Sequence, residues 1–448
     1  MVQTRAQQAS PDLPPKSSTP ELDGERHDVR SLTFALLGTF VLRCASYAAG
    51  LIIPVSLGLR SRTDSDITAA YAAFIGVAFY SAELIGAPIF GALSDRFGRK
   101  PFMLLGPIFG GIAIQLLGIT AAVPVFVLVR VLEGFSTASS APATLGYISA
   151  QTATSQRLRG RVMGFYEAAT VVGLASGAAV GGRLYEHFGN LAFSLIAVVY
   201  VGSLLLFMAV RRHGRLAPPI PQHRSLLRRL LNRRIMRFAP AWLAANAVLG
   251  AWLNAGPYLA AGAPDPAQFL MQQRSPGEIG MATLAFGVVF TVGAVVWGFI
   301  MPTIGRQATL LWGVAGLGLV SVALWSLNGL GEDPERGAVT PLLLLVVLGV
   351  FVESGFTPAA LTYLAEIAEE HAPDRGSVMG VYSVLLSVGQ LAGTAMAGPF
   401  AVAAGFNGLI LLTGLLSLIA LFSVLLLGYA ERRAARLGRA RAARAGLA

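Results

Sequence analysis

Charged side chains inside long apolar runs are the residues of this sequence with the clearest capacity for chemistry. They are Arg43, Glu83, Arg130, Glu133, Glu167 and Glu353. An ionised side chain near the centre of a bilayer costs at least about 2.5–3.5 kcal/mol on insertion scales, so it usually faces a cavity or an opposite charge. Arg130 and Glu133 are one helical turn apart and can pair. A carboxylate beside a cation in a partly dry site can take up and release a proton as its surroundings change.

Counter-charges are available for both arginines. If Arg43 and Arg130 face one cavity, Glu83, Glu133 and Glu167 can balance them. Two interpretations stay open: Glu133 or Glu83 exchanges a proton, or the charges form a static network that only locks the helices. Glu353 is isolated, so it is either a substrate contact or lies near an edge shielded from lipid.

Polar residues in two other apolar runs are candidates for lining a substrate cavity. Asn254 and Tyr258 are four residues apart, so they share one face of a helix. Asn246 precedes them in the same run, and Gln390 lies in a later one. The predicted cavity residues are Arg43, Asn246, Asn254, Tyr258, Glu353 and Gln390.

The composition indicates that these residues are carried by membrane-spanning helices. Of 448 residues, 54% are hydrophobic and 13% are charged, against about 25% charged in soluble domains. The net charge of +11 does not indicate a nucleic-acid partner, because the arginines lie in loops and near the end of the chain. Cys44 is the single cysteine and the five histidines fall outside the predicted spans, so neither a metal nor a cofactor is expected.

The apolar runs predict an all-α integral membrane protein with twelve spans. The predicted organisation is a disordered tail (1–30), six spans (31–210), a basic linker (211–237), six spans (238–430) and a basic tail (431–448). Span ten is predicted over 340–364, span eleven over 377–403 and span twelve over 407–429. Arginines concentrate in the even-numbered loops, so both termini are expected in the cytoplasm of a plasma-membrane protein.

A basic, glycine-punctuated turn separates spans two and three. It reads Gly91-Ala92-Leu93-Ser94-Asp95-Arg96-Phe97-Gly98-Arg99-Lys100. This segment resembles the loop 2–3 signature of the major facilitator superfamily of transporters. The resemblance implies two six-helix bundles around a central cavity, with alternating access. It assigns conformational gating to Gly91, Asp95, Arg96, Gly98, Arg99 and Lys100, with the arginines pairing across the halves with acids such as Glu366 or Asp374.

The two halves repeat one another. Gly164 in a G-R-V-M-G-F-Y segment matches Gly380 in a G-S-V-M-G-V-Y segment, 216 residues later (380 − 164). The signature turn has a degraded copy from Gly298 to Arg306, with Pro302 in place of Asp95. Parallel six-span halves of this kind are related by an axis along the membrane normal.

Two further segments resemble transporter motifs. The glycines Gly164, Gly173, Gly177 and Gly181 are similar to the antiporter motif of drug–proton exchangers, although Ala178 stands where that motif has proline. Such glycines allow close helix packing, which is also their simplest explanation. Arg130 and Gly134 resemble the span-four motif of proton-coupled members, which implies that Arg130 takes part in proton transfer.

The sequence therefore predicts a secondary transporter, not an enzyme, that exports a small amphipathic or drug-like compound in exchange for protons. The expected partners are the substrate, protons and the lipid bilayer, with a monomer as the functional unit. The alternative is uptake of a metabolite or organic anion, with Arg43 and Arg130 binding its carboxylate. Two further alternatives are disfavoured. The sequence contains no G-x-S-x-G segment, which weighs against a lipid-modifying enzyme. The intact signature turn weighs against a sensor that does not transport.

Overall fold

The computed structural model describes residues 29–120, 122–152, 155–211, 233–332, 334–369 and 375–444. Its regular elements over these residues are all α-helices. They are α1 (Val29–Arg60), α2 (Ala69–Phe97), α3 (Arg99–Ile119), α4 (Val123–Gln151), α5 (Gln156–Phe188), α6 (Leu191–Met208), α7 (Arg233–Ala261), α8 (Pro276–Ile304), α9 (Arg306–Asn328), α10 (Arg336–Glu353), α11 (Phe356–Glu369) and α12 (Arg375–Arg444). Predicted segments 1–28 and 212–232, and Asp374, lie outside the described residues.

Most of the described helices have the length and composition of membrane spans. Nine stretches of the described chain are long and apolar enough to cross a bilayer, and helices satisfy every backbone hydrogen bond internally, as lipid requires. One stretch, Val384–Arg433, holds two helical halves, because Ala404 and Gly405 leave the helical conformation. This break falls between predicted spans eleven and twelve. The total of twelve spans stays a prediction.

The helices form two bundles that meet along one side. In the N-terminal bundle α1 packs on α5 and α6, and α4 packs on α2 and α3. In the C-terminal bundle α12 packs on α7 and α9, and α10 packs on α9 and α8. The bundles contact each other through α1 with α7, α2 with α12, and α5 with α8. A large core of buried apolar side chains runs through both bundles, and a second, smaller cluster includes Val55 of α1, Ala178 of α5 and Ile279 of α8.

The internal repeat extends to the backbone. Gly98, between α2 and α3, has φ 97° and ψ 149°, and Gly305, between α8 and α9, has φ 86° and ψ 150°. Gly189 after α5 has φ 52° and ψ −130°, and Gly405, 216 residues later (405 − 189), has φ 58° and ψ −133°. Residues with a β-carbon rarely adopt a positive φ, so glycine is the residue that permits these turns in both halves.

Helix boundaries differ from the predicted ones at three places. Span ten is broken at Ser354 and Gly355 into α10 and α11. Pro358 lacks the N–H that would bond to the Ser354 carbonyl, and its ring clashes with that carbonyl. In addition, α7 begins at Arg233 inside the predicted linker, and α12 continues through Arg444 inside the predicted tail.

Three of the four glycines assigned to packing in α5 contact α1. A β-carbon at Gly177 would lie 2.3 Å from the Cys44 carbonyl oxygen, and one at Gly181 would lie 2.7 Å from the Ala48 α-carbon. A β-carbon at Gly173 would lie 2.7 Å from the Arg43 β-carbon. The assignment of Gly164 is wrong, because a β-carbon there would meet nothing within 4 Å in the described chain. Gly164 lies nine residues before Gly173, which is about two and a half helical turns, so it faces away from α1.

Gly177→Ala is therefore expected to lower the thermal unfolding midpoint of the purified protein in detergent. The added methyl must push α1 and α5 apart, and overpacking of this kind typically costs about 1–3 kcal/mol. Gly164→Ala is the matched control, since it adds the same methyl to the same helix in open space. Its midpoint should stay equal or rise slightly, because alanine favours helix. Equal destabilisation by both variants would contradict the packing role.

Candidate functional site

A buried ion pair on α4 is the centre of the candidate site. Arg130 Nη1 lies 2.9 Å from Glu133 Oε2, and the two residues are 5% and 1% exposed. The guanidinium carbon of Arg130 also lies 4.6 Å from the centre of the Phe79 ring on α2. Breaking a buried pair from one side leaves an uncompensated charge, which typically costs 3–5 kcal/mol. The pair is therefore tightly constrained.

The same arginine also connects the two bundles. Arg130 Nη2 donates a hydrogen bond of 3.1 Å to Asn254 Oδ1 on α7. Asn254 Nδ2 in turn donates to the Gly250 carbonyl at 3.1 Å and to Thr394 Oγ1 on α12 at 3.4 Å. Asn254 thus lies in a polar contact between bundles instead of at an open cavity wall. A change in the charge of the Arg130–Glu133 pair can act directly on how the bundles meet.

A second group of charges lies nearer the middle of the N-terminal bundle. Arg43 on α1 interacts electrostatically with Glu83 on α2 and is hydrogen-bonded to Tyr166 on α5. Glu83 interacts with both Arg43 and Arg130, and Glu167 interacts with Arg43. Arg43 and Glu83 are half-buried, whereas Glu167 is exposed. The structure thus brings together all five charges predicted for this bundle: two arginines and three carboxylates.

The other residues predicted to line the cavity lie in different surroundings. Asn246 is 7% exposed, packs against Gly389 and donates to the Trp242 carbonyl of its own helix, so in this conformation it lies at a helix contact. Tyr258 is 6% exposed and donates to the Ile67 carbonyl at 2.7 Å, which makes it a contact between bundles. Gln390 is half-buried, and its backbone packs on Gly250. Glu353 ends α10 at the break, with its backbone against Gly316 of α9.

A set of contacts joins the bundles on the side of the membrane opposite the 91–100 turn, which we call the far side. Arg62 donates from Nε and Nη2 to the Ala261 carbonyl, at 2.9 and 2.5 Å, where α7 ends. Glycines let the backbones approach: a β-carbon at Gly58 would lie 2.3 Å from the Tyr258 carbonyl, and one at Gly182 would lie 2.3 Å from the Pro276 carbonyl. Together with the Tyr258–Ile67 hydrogen bond, these contacts form the far-side seal.

Close packing continues the far-side seal towards the Arg130 pair. A β-carbon at Gly76 of α2 would meet Thr394 Cγ2 at 2.6 Å and Asn254 Oδ1 at 2.7 Å. A β-carbon at Gly398 of α12 would meet the Ala73 β-carbon at 2.9 Å. The sequence shows where these glycines are but does not show which helices they bring together.

On the signature-turn side, the predicted gating residues bond within the N-terminal bundle. Arg99 Nη2 lies 2.7 Å from Asp95 Oδ1, and the guanidinium covers Gly146 of α4. Lys100 Nζ donates to the Met208 carbonyl at 2.6 Å, where α6 ends, so it caps that helix. Arg96 is exposed over the Phe97 ring. A β-carbon added at Gly91 would lie 3.8 Å from the Pro142 β-carbon, which is an ordinary contact distance.

The C-terminal bundle uses different acids at the equivalent turn. Arg306, which follows Gly305 as Arg99 follows Gly98, bonds to Glu366 on α11 and lies 2.7 Å from Glu431 on α12. Its guanidinium carbon lies 4.6 Å from the centre of the Tyr363 ring. The predicted pairing of Glu366 with the arginines of the first turn, across the halves, is wrong. Pro302 stands where the first half has Asp95 and has no carboxylate, so Glu366 and Glu431 pair with Arg306 instead.

Several residues of the site were not predicted. Phe79, Thr394 and Arg62 carried no distinguishing pattern in the sequence, because their partners are far away along the chain. Tyr166 had a usable signal, since it is adjacent to Glu167 and a tyrosine hydroxyl can satisfy a buried guanidinium. Its position opposite Arg43 required the packing of α1 on α5.

Comparison with known proteins places this arrangement in one family. The model of the Major Facilitator Superfamily matches residues 35–264 and 258–448. The chain is 26% identical over 373 residues to multidrug resistance protein 1 of Bacillus subtilis, covering 82% of this chain and 89% of that one. It is 26% identical over 356 residues to the human chromaffin granule amine transporter, covering 77% of this chain and 63% of that one.

Solved structures share the fold. A mutant of the nucleoside transporter NupG superposes with a TM-score of 0.69 at 12% identity, covering 88% of this chain and 99% of that one. At this identity the likeness concerns the fold alone.

Removing the polar contacts of the far-side seal is expected to open that side. In a Cys44→Ser background, spin labels at Ser65→Cys and Ala263→Cys should move apart in electron–electron distance measurements when Arg62→Ala and Tyr258→Phe are combined. A hydrogen bond from a charged group contributes about 1.5–3 kcal/mol, so the separated population should grow about tenfold or more. Arg336→Ala, an exposed arginine at the start of α10, is the control. An unchanged distance distribution in the double variant would contradict the seal.

Proposed function

Since the chain belongs to the major facilitator superfamily, it is a multi-pass membrane transporter of small molecules, and we propose that it exports an amphipathic compound in exchange for protons. The proposal includes the predicted organisation: twelve spans, both termini in the cytoplasm of a plasma-membrane protein, and a monomer as the working unit. The similarity to multidrug resistance protein 1 supports export of this kind.

The charge balance of the candidate site is the observation that carries the proposal. Two arginines, Arg43 and Arg130, lie among three carboxylates, Glu83, Glu133 and Glu167. With all five ionised the group carries one net negative charge. A site of this sign favours a neutral or cationic substrate, and uptake of one proton makes the group of five neutral. The same balance weighs against uptake of an organic anion, because both guanidinium groups already face carboxylates.

The proposed coupling runs through Arg130. When Glu133 is ionised, it holds Arg130 Nη1, while Nη2 holds Asn254 of the other bundle. Protonation of Glu133 would remove the charge that orients Arg130 and so would change its bond to Asn254. Substrate and proton would then favour different arrangements of the same two bundles, which is the requirement for exchange.

The conformation described here fits one end of the transport cycle. The far-side seal joins the bundles, and the exposed Glu167 lies on the half of α5 nearer the signature turn. We take this arrangement as the one open towards the cytoplasm. The gating residues Asp95, Arg99 and Lys100 would exchange partners when the bundles rock to close that side.

Glu133→Gln is expected to abolish proton-driven transport while retaining substrate exchange. Glutamine keeps the shape but cannot be ionised, so Arg130 is held in one arrangement and net transport no longer follows the pH gradient. In proteoliposomes, uptake of a cationic dye driven by a pH gradient should fall at least about tenfold, whereas counterflow of the dye without a gradient should persist.

Glu186→Gln is the matched control for that variant. Arg183 and Glu186 form another Arg-x-x-Glu pair near the far-side end of α5, with side chains 58% and 29% exposed and an Nη1–Oε2 distance of 3.3 Å. The Glu186 side chain also packs against Gly277 of α8, and glutamine keeps its size, so that contact is preserved. Exposed pairs contribute little, so both transport modes should survive. If Glu133→Gln transports dye down the pH gradient as well as the wild type does, proton coupling through this residue is excluded.

Arg43→Ala distinguishes the two transport hypotheses. Under the export proposal, cationic dye transport should persist or rise, because removing one positive charge makes the site more negative. Under the anion-uptake alternative, the variant should lose transport of organic carboxylates that the wild type accumulates. Vesicle assays with a cationic dye and with a panel of carboxylates decide between them. Carboxylate uptake by the wild type that disappears in Arg43→Ala would favour the alternative.

A further inference from the structure

We propose that the outer face of α12 binds anionic phospholipid through Arg432, Arg433 and Arg436. This surface is separate from the candidate transport site. The three arginines are exposed and lie at the end of the apolar stretch Val384–Arg433 of α12 and in the turn that follows it.

The helical register places these arginines on the face that contacts lipid. Exposed apolar residues recur along one face of α12 at helical spacing, from Leu411 and Leu415 to Leu418 and Phe422, which are 63% and 66% exposed. Tyr429, 61% exposed, continues the same face seven residues after Phe422. Arg432, Arg433 and Arg436 follow Tyr429 at three, four and seven residues, so they extend this face without a change of direction.

The depth of the arginines corresponds to the phospholipid headgroups. An exposed tyrosine at the end of an apolar helix usually marks the boundary between hydrocarbon and headgroups. At 1.5 Å per residue, the three arginines lie within about 10 Å of Tyr429 along the axis. They therefore lie at the level of lipid phosphates, and each nearby arginine strengthens binding to an anionic surface.

Neighbouring charges leave this face positive. Glu431, the acid beside the three arginines, is bonded to Arg306 of α9, at 2.7 Å, and so is directed towards the bundle. Arg237 of α7 is exposed next to α12, since its carbonyl accepts a hydrogen bond of 2.7 Å from Ser423. The occupant that matches an apolar face ending in cations is a lipid with acyl chains and an anionic headgroup.

Native mass spectrometry of the full-length protein tests the proposal, with phosphatidylglycerol and phosphatidylcholine of equal chain length titrated into the detergent solution. The wild type should bind phosphatidylglycerol more tightly, by about tenfold or more. The R432Q/R433Q/R436Q variant should lose this preference. The R432K/R433K/R436K variant keeps the charges and should retain most of it, which separates loss of charge from loss of structure.

The control is R30Q/R161Q/R211Q, which removes three exposed arginines from the N-terminal bundle on the same side of the membrane. It should keep the preference for phosphatidylglycerol. A preference that survives in the first glutamine variant, or that disappears equally in the control, would overturn the proposal. So would equal binding of glycerol phosphate, because a free-anion site would not need the apolar face. If the first glutamine variant does not fold, loss of the preference in the lysine variant overturns it.

Discussion

Ionised groups inside the bilayer must be paired, and this constraint shapes the centre of the molecule. Arg130 meets a carboxylate, an amide oxygen and an aromatic ring, supplied by three different helices. Two of those helices belong to one bundle and the third to the other. The cost of leaving a buried charge unpaired therefore ties the Arg130–Glu133 pair of the N-terminal bundle to Asn254 of the C-terminal bundle.

Glycine makes that link possible by letting backbones approach. The far-side seal depends on residues without side chains at Gly58, Gly76 and Gly182, where any β-carbon would meet a neighbouring atom within 2.7 Å. In lipid, where no hydrophobic force draws helices together, such close packing is a main source of association. Among the described residues, the hydrogen bonds of the far-side seal come from Arg62 and Tyr258, and the rest of the contact is close packing.

The two halves share backbone geometry but not electrostatics. Gly98 and Gly305 turn the chain in the same way, yet Asp95 serves the first turn and Glu366 and Glu431 serve the second. In the second half the arginine thereby joins α9 to the end of α12. The lipid-facing arginines lie next to that junction, so binding of an anionic headgroup would act on the same helix end that Arg306 holds.

The sequence alone determined the family, the two halves and the charges that need partners, because apolar length, the signature turn and the 216-residue repeat can all be found from the order of residue types along the chain. It also indicated Arg130 with Glu133, which are neighbours on one helix. Tertiary structure decided the rest: that Arg130 reaches Asn254, that Asn246 is buried at a helix contact, that Glu366 pairs with Arg306, and that Gly164 has no close packing partner among the residues that the structure describes. Each of these depends on which helix lies opposite, and helix–helix contacts between residues 60 or more positions apart leave no periodic trace in the chain.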